Sequence, residues 1–163
     1  IYQTLNNTLT LSVCFRFLLH KDLITKKGKL SDEELKTIKD IPYKLVELTQ
    51  LFDYFSQERR ILLYHREWYN GEGYPEGLSG DEIPVGAKIF NLADALAAMI
   101  TDRPYRKQLD PEQVLQELER GAGKQWDPQL VLLLLDILEQ EKFLPLEDTL
   151  LTETRKRLLN TLG

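Results

Sequence analysis

Apolar and polar positions along this chain repeat at helical spacing almost throughout, and no stretch alternates in the manner of a half-buried strand. Residues 8–19 are apolar and mixed, as in a buried helix or the end of one. Ser31 followed by Glu34 has capping-box spacing, each side chain reaching the other's backbone N–H, so a helix is expected from Asp32 to about Asp40. Pro42 opens a second helical stretch, and Ser56 reads as the cap of a third that runs to about Tyr69. Pro84 suits the first turn of the next helix, with Val85, Ile89, Leu92, Leu96 and Met99 on one face. Asp110-Pro111 starts another helix, which Gly121 ends. Asp127-Pro128 starts the next, with Val131, Leu134, Leu135 and Leu138 facing inward, and a last amphipathic helix spans Thr152 to Leu162. Residues 70–83, NGEGYPEGLSGDEI, interrupt the pattern: four glycines and Pro75 rule out regular structure there. The expectation is an all-α bundle of six to eight helices carrying one glycine-rich loop.

Composition narrows the class. A chain of 163 residues fits one domain with a real core. The net charge of −5 argues against duplex nucleic acid, which needs clustered Lys and Arg. One cysteine, Cys14, excludes a disulfide framework and fits a reducing cytoplasm. No signal peptide is visible, and the apolar run Leu130 to Leu135 falls far short of the roughly 18 residues a membrane span needs. The chain starts at Ile1, as a piece of a longer protein would.

Two features bear on chemistry. The chain holds only two histidines, His20 and His65, and two-metal hydrolases are built mainly from imidazoles and carboxylates. Against that poverty stands a possible phosphate platform. The Gly71–Gly73 loop offers backbone amides, and Arg103 and Arg106 offer the fork that phosphate oxygens accept, although Arg103, Tyr105 and Arg106 could equally just pack a helix end.

The segment HREWYNGEGYPEGLSGDEIP (His65 to Pro84) resembles the signature of HD-GYP domains, in which a His-His-Glu triplet precedes an Asp-Gly-x-Gly-Tyr-Pro loop. The likeness continues in order. ADALAAMITDRPYRK (Ala93 to Lys107) is similar to the family's metal-ligand aspartate helix, GAGKQWDPQLV (Gly121 to Val131) to the element after it, and KKGKLSDEELKTIKDIP (Lys26 to Pro42) to its Lys-Pro-Gly-Lys-Leu segment. The resemblance covers roughly residues 10–140 and implies an HD-domain-like helical bundle in residues 1–145, with residues 146–163 as a C-terminal helix packed on the same domain. It also implies a bacterial cyclic-di-GMP signalling role. Family members hydrolyse cyclic di-GMP at a centre of two or three iron, manganese or zinc ions, which acidify a bridging water and polarise the phosphodiester.

Carried over residue by residue, that centre is depleted. The His-Asp pair falls on Ser12 and Val13, the lysine after it on Arg16, and a later histidine on Ile41. Of the His-His pair His65 remains beside Arg66; Asp94 remains, the loop aspartate is Asn70, and the second acid of the aspartate helix is Ala97. Losing several ligands should abolish two-metal chemistry. The sequence therefore predicts no catalytic residue, no metal and no cofactor, with Arg66 replacing the metal's field by pairing with Asp94. Arg16, Gly73, Tyr74, Pro75, Arg103 and Arg106 are the candidate contacts for a ligand or partner. The partners implied are cyclic di-GMP, a GGDEF-type domain, an upstream sensor or receiver domain, or a second copy of the chain. The leading reading is a cytoplasmic, non-catalytic sensor or docking module. An active phosphodiesterase with a reduced metal site, or a structural dimerisation module, are the alternatives.

Overall fold

The computed structural model describes residues 2–26, 28–50, 55–102 and 107–162, with side chains for all but 14–22, 24–25 and 161–162. Among the described residues eight α-helices follow one another: α1 (Tyr2–Thr25), α2 (Asp32–Lys39), α3 (Ile41–Gln50), α4 (Ser56–Tyr64), α5 (Val85–Met99), α6 (Pro111–Gly121), α7 (Pro128–Gln140) and α8 (Asp148–Leu162). Among the described residues extended pairing is limited to two isolated bridges, Asn70 with Ser79 and Ala122 with Trp126. The architecture is all-α.

Local chemistry sets most of the boundaries. Ser31 caps α2 with its hydroxyl on the Glu34 amide, and the Glu34 carboxylate returns to the Ser31 amide at 2.7 Å. Asp110 and Gln113 make the same reciprocal pair at α6, and Asp127 caps α7 through the Gln129 amide. Three expectations are corrected. Ser56 is the first helical residue of α4 rather than its cap, Phe55 standing in the cap position without a side-chain bond. The same helix stops at Tyr64 instead of Tyr69, because the Glu67 amide turns back to the Tyr64 carbonyl at 3.0 Å. Pro84 lies just outside α5, whose buried positions are Gly86, Ala87, Phe90, Asn91, Leu92 and Met99, while Val85 is left exposed. The expected face holds at Leu92 and Met99 and in part at Ile89 and Leu96, but Val85 falls outside it, and small and polar residues (Gly86, Ala87 and Asn91) widen it.

The helices form two packed groups joined by α5. Helices α1, α3 and α4 pack together, with α2 against α3, and α5 touches α4 on one side and α7 on the other. The second group, α6, α7 and α8, buries an apolar cluster of Val114, Leu115, Leu118, Trp126, Val131, Leu135, Leu138, Leu151 and Leu158, to which α5 adds Leu92 and Met99. Fully burying a leucine of this kind contributes about 1.5–3 kcal/mol. The first group is wetter inside: Thr8, Ser12, Thr49 and Glu58 are buried there, with Asn7 donating to Glu58 at 3.1 Å. No described helix is long and apolar enough to cross a membrane.

Candidate functional site

The residues that carried the family resemblance meet where α4 ends, the loop 70–83 folds back, and α5 passes beneath. His65, at the C-terminal cap of α4, is 3% exposed. Its Nδ1 lies 2.8 Å from the Leu62 carbonyl, and its ring meets Phe90 edge-on at 5.5 Å. Both contacts hold the imidazole as a packed core group. Arg66 turns the other way and donates from Nη2 to Oδ2 of Asp94 at 3.1 Å. This is the expected pair, but the two side chains retain 34% and 27% of their exposure. Solvent screens a pair this open, so it stabilises the fold less than a fully buried pair would.

The loop is built on Glu67, which the sequence reading passed over. Glu67 is 2% exposed, and its carboxylate accepts the amides of Glu76 at 2.7 Å and of Gly77 and Leu78 at 3.1 Å. The Tyr74 amide donates to the Arg66 carbonyl, and Gly80 to that of Tyr69. The Tyr74–Pro75 peptide is cis. Gly73 is required by close approach: a Cβ there would lie 2.1 Å from the Trp68 nitrogen. Tyr74 and Pro75 are half-buried, so the loop presents a folded surface. A short 3-10 turn, Gly80–Glu82, closes it with a third capping box, between Ser79 and Glu82.

Charge ties the loop to its surroundings. The Lys88 side chain, 10% exposed, bonds Asp127 at 2.8 Å, reaches Asp81 at 3.5 Å and lies 5.8 Å from the Tyr69 ring centroid. Burial pulls its pKa down, but Asp127 and then Asp81 outweigh this, and the value lies above the ordinary 10.5. Burial and the neighbouring Glu76 carboxylate push the Tyr64 phenol up.

Three of the remaining candidates lie at described positions of α1 and α3. Ser12 is buried in α1 and Val13 is 58% exposed on it, while Ile41 is the half-buried first residue of α3. Arg16 belongs to α1, but its side chain lies outside the described residues, as do Arg103 and Arg106 altogether. Two further residues stand beneath the loop. Asn91 donates to the Glu67 carbonyl at 2.9 Å, and Trp126 donates to Asn91 at 3.3 Å. Trp126 lies in the family-like segment Gly121 to Val131, but neither residue was singled out there, and a lone Asn in an apolar helix face had no motif to mark it.

Comparison with known proteins places this geometry. Residues 20–130 match the family model described as HD domain, which defines the class. A cyclic di-GMP phosphodiesterase of Borreliella burgdorferi is 33% identical over 146 residues, covering 81% of this chain and 37% of that protein. The cyclic di-GMP phosphodiesterase response regulator RpfG of Xanthomonas campestris pv. campestris is 35% identical, over 67% of this chain and 29% of its own length. A 3'3'-cGAMP-specific phosphodiesterase of Vibrio cholerae is 33% identical, over 70% and 22%. The chain belongs to the HD-GYP family. It spans about a third of the length of these curated relatives.

Membership corrects one expectation. The HD-GYP phosphodiesterases are metal-dependent, so the family to which the chain belongs implies a divalent metal, and the expectation of no cofactor does not stand. The described side chains do not by themselves fit a two-metal centre. Among them no three His, Cys, Asp or Glu residues converge, and Arg66 places a fixed cation on the one retained carboxylate. The side chains of His20 and Asp22 lie outside the described residues.

Proposed function

We propose that this chain is a signalling module of a cyclic-di-GMP system that binds the nucleotide or a partner protein without hydrolysing the phosphodiester. The observation that carries this reading is the Arg66–Asp94 pair. A guanidinium is a permanent cation with no acceptor, so at this position it opposes the clustered cations that activate a water, while leaving an anion-compatible surface. The intact loop around Tyr74 and Pro75 supports retention of a recognition role, because its hydrogen bonds serve shape alone. Its place would be the cytoplasm, where cyclic di-GMP signalling operates.

The test is a paired measurement on the protein supplied with manganese or iron(II). Calorimetric titration should report binding of cyclic di-GMP, and chromatography of the same mixtures should show the nucleotide unchanged. Linear dinucleotide or GMP appearing catalytically, and lost with Asp94→Ala, would refute the non-catalytic assignment. A titration with 3',3'-cGAMP alongside decides which cyclic dinucleotide is preferred, a choice raised by the cGAMP-specific relative.

A further inference from the structure

A buried carboxylate needs donors, and a loop without a ladder needs acceptors. Glu67 and the loop satisfy each other: one 2%-exposed carboxylate accepts three consecutive amides, those of Glu76, Gly77 and Leu78. Opening the loop would strand the charge in the protein interior, and neutralising the charge would weaken three bonds together. The chain of bonds continues inward. The Glu67 carbonyl accepts from Asn91, one turn before Asp94 on α5, and Asn91 in turn accepts from the Trp126 indole. Trp126 stacks so closely over Gly121 that a Cβ there would meet its ring at 2.3 Å. The turn between α6 and α7 closes the circuit, its Gln125 and Lys124 carbonyls accepting the amides of Tyr69 and Asn70 at 3.2 and 3.0 Å.

We infer that Glu67 is a positioning residue that locks the loop 70–83, α5 and the α6–α7 turn into one body, so that the loop is a preformed recognition surface and not a lid. The coupling is cooperative, because satisfied buried networks rigidify their members together. Tyr74 and Pro75 thereby keep a fixed place relative to Asp94. The consequence for nucleotide binding rests on the function proposed above; the mechanical assignment does not.

Hydrogen exchange on the whole chain tests it. In the wild type the amides of Glu76, Gly77 and Leu78 should exchange as slowly as those of α5. Glu67→Gln keeps the shape but removes the charge and turns one acceptor into a donor facing an amide. It should accelerate those three amides by at least about tenfold, the loss expected for charged hydrogen bonds, while amides of α6 and α8 keep their rates. Wild-type loop amides far faster than α5, or loop rates unmoved by Glu67→Gln, would overturn the assignment. Asn91→Ala gives a second route should Glu67→Gln fail to fold. It spares the carboxylate, so Glu76 to Leu78 should stay protected while Tyr69 and Asn70 speed up and the Trp126 emission shifts. If Tyr69 and Asn70 do not respond, the three segments are not one body. Titration with cyclic di-GMP separates the two levels. A wild type that binds none removes the nucleotide from the proposed function and leaves the exchange result standing, whereas binding weakened by Glu67→Gln supports both. Binding that Glu67→Gln leaves unchanged removes the loop from the ligand site.

Discussion

The loop with its α5 floor and the α1–α3 side have fared differently against the family pattern. In the loop, the glycines, Tyr74, Pro75 and the buried Glu67 are present, and hydrogen bonds to backbone join them into one structure. On α1 and α3 the positions that resemble ligand sites hold a buried Ser12, an exposed Val13 and a half-buried Ile41 in place of imidazole and carboxylate. The difference follows from what each residue was needed for. A metal ligand contributes a lone pair toward one point, and an apolar residue can replace it with the helix unchanged. The loop residues hold up one another's backbone, so the loss of one is felt by all. On the proposed reading, shape and metal chemistry reside in separate side chains, so that one can change while the other stays.

Breaking the supports of the loop should have the largest effects. Lys88→Ala removes the partner of Asp127, a carboxylate whose side chain is only 12% exposed, and frees Asp81. Breaking a buried pair on one side costs about 3–5 kcal/mol, which urea denaturation should register. Because the folded pKa of Lys88 is raised, its contribution is fully present below the ordinary 10.5 and is lost as the pH rises through the higher folded value. The wild-type stability advantage over Lys88→Ala should therefore hold at neutral pH and shrink only in strong alkali. Gly73→Ala comes next. Its methyl would press on the backbone of Glu67 and Trp68, which cannot swing aside, and overpacking of this kind costs about 1–3 kcal/mol. An unaltered midpoint for Gly73→Ala would mean that the loop is softer than its hydrogen bonds imply.

The Arg66–Asp94 pair lies on the border of the two regions and should respond more weakly. At roughly a third exposure for each partner, Arg66→Ala is expected to cost about 1 kcal/mol or less. Arg66→His should fold and leave hydrolysis at background, because Ser12, Val13 and Ile41 still supply no donors. A loss of several kcal/mol would show the pair to be buried by residues outside those described, and turnover in Arg66→His would place enough ligands within reach.

How much was legible in the sequence follows the same division. The helices announced by side-chain caps, at Ser31, Asp110 and Asp127, start where their spacing placed them, since the cap is a local bond between near neighbours. The end of α4 was misplaced, and Asn91 on the inward face of α5 was missed. Both are decided by distant partners: Glu67 leaves the helix to serve the loop, and Asn91 is buried to serve Glu67 and Trp126. The pair of Arg66 with Asp94 was legible from charge alone, but its exposure was not. Glu67 was legible as the glutamate of the His-His-Glu triplet, but its role was not, because only the folded loop shows three amides pointing at it.

The smallest effect expected is in acid, and it compares one device in both regions. Ser31 with Glu34 and Ser79 with Glu82 are the same capping box, one on the α1–α3 side and one closing the loop. For Glu34 the Lys26 ammonium, then the Ser31 amide, lowers the pKa from the ordinary 4.5; for Glu82 the Ser79 amide and hydroxyl do so. A lowered folded pKa means that each contribution is present above the unfolded value and is lost as the pH falls through the folded one. Exchange at the Ser31 and Ser79 amides should thus be insensitive to pH above about 5, after correction for intrinsic rates, and should rise below the ordinary carboxylate range. The two boxes should then part company. Opening at Ser31 frees only the start of α2, which buries no side chain of its own. Opening at Ser79 leaves the neighbouring Gly77 and Leu78 amides held by Glu67, so their protection should persist. If those amides are released together with Ser79, the loop is held by its closing turn and not by the carboxylate beneath it.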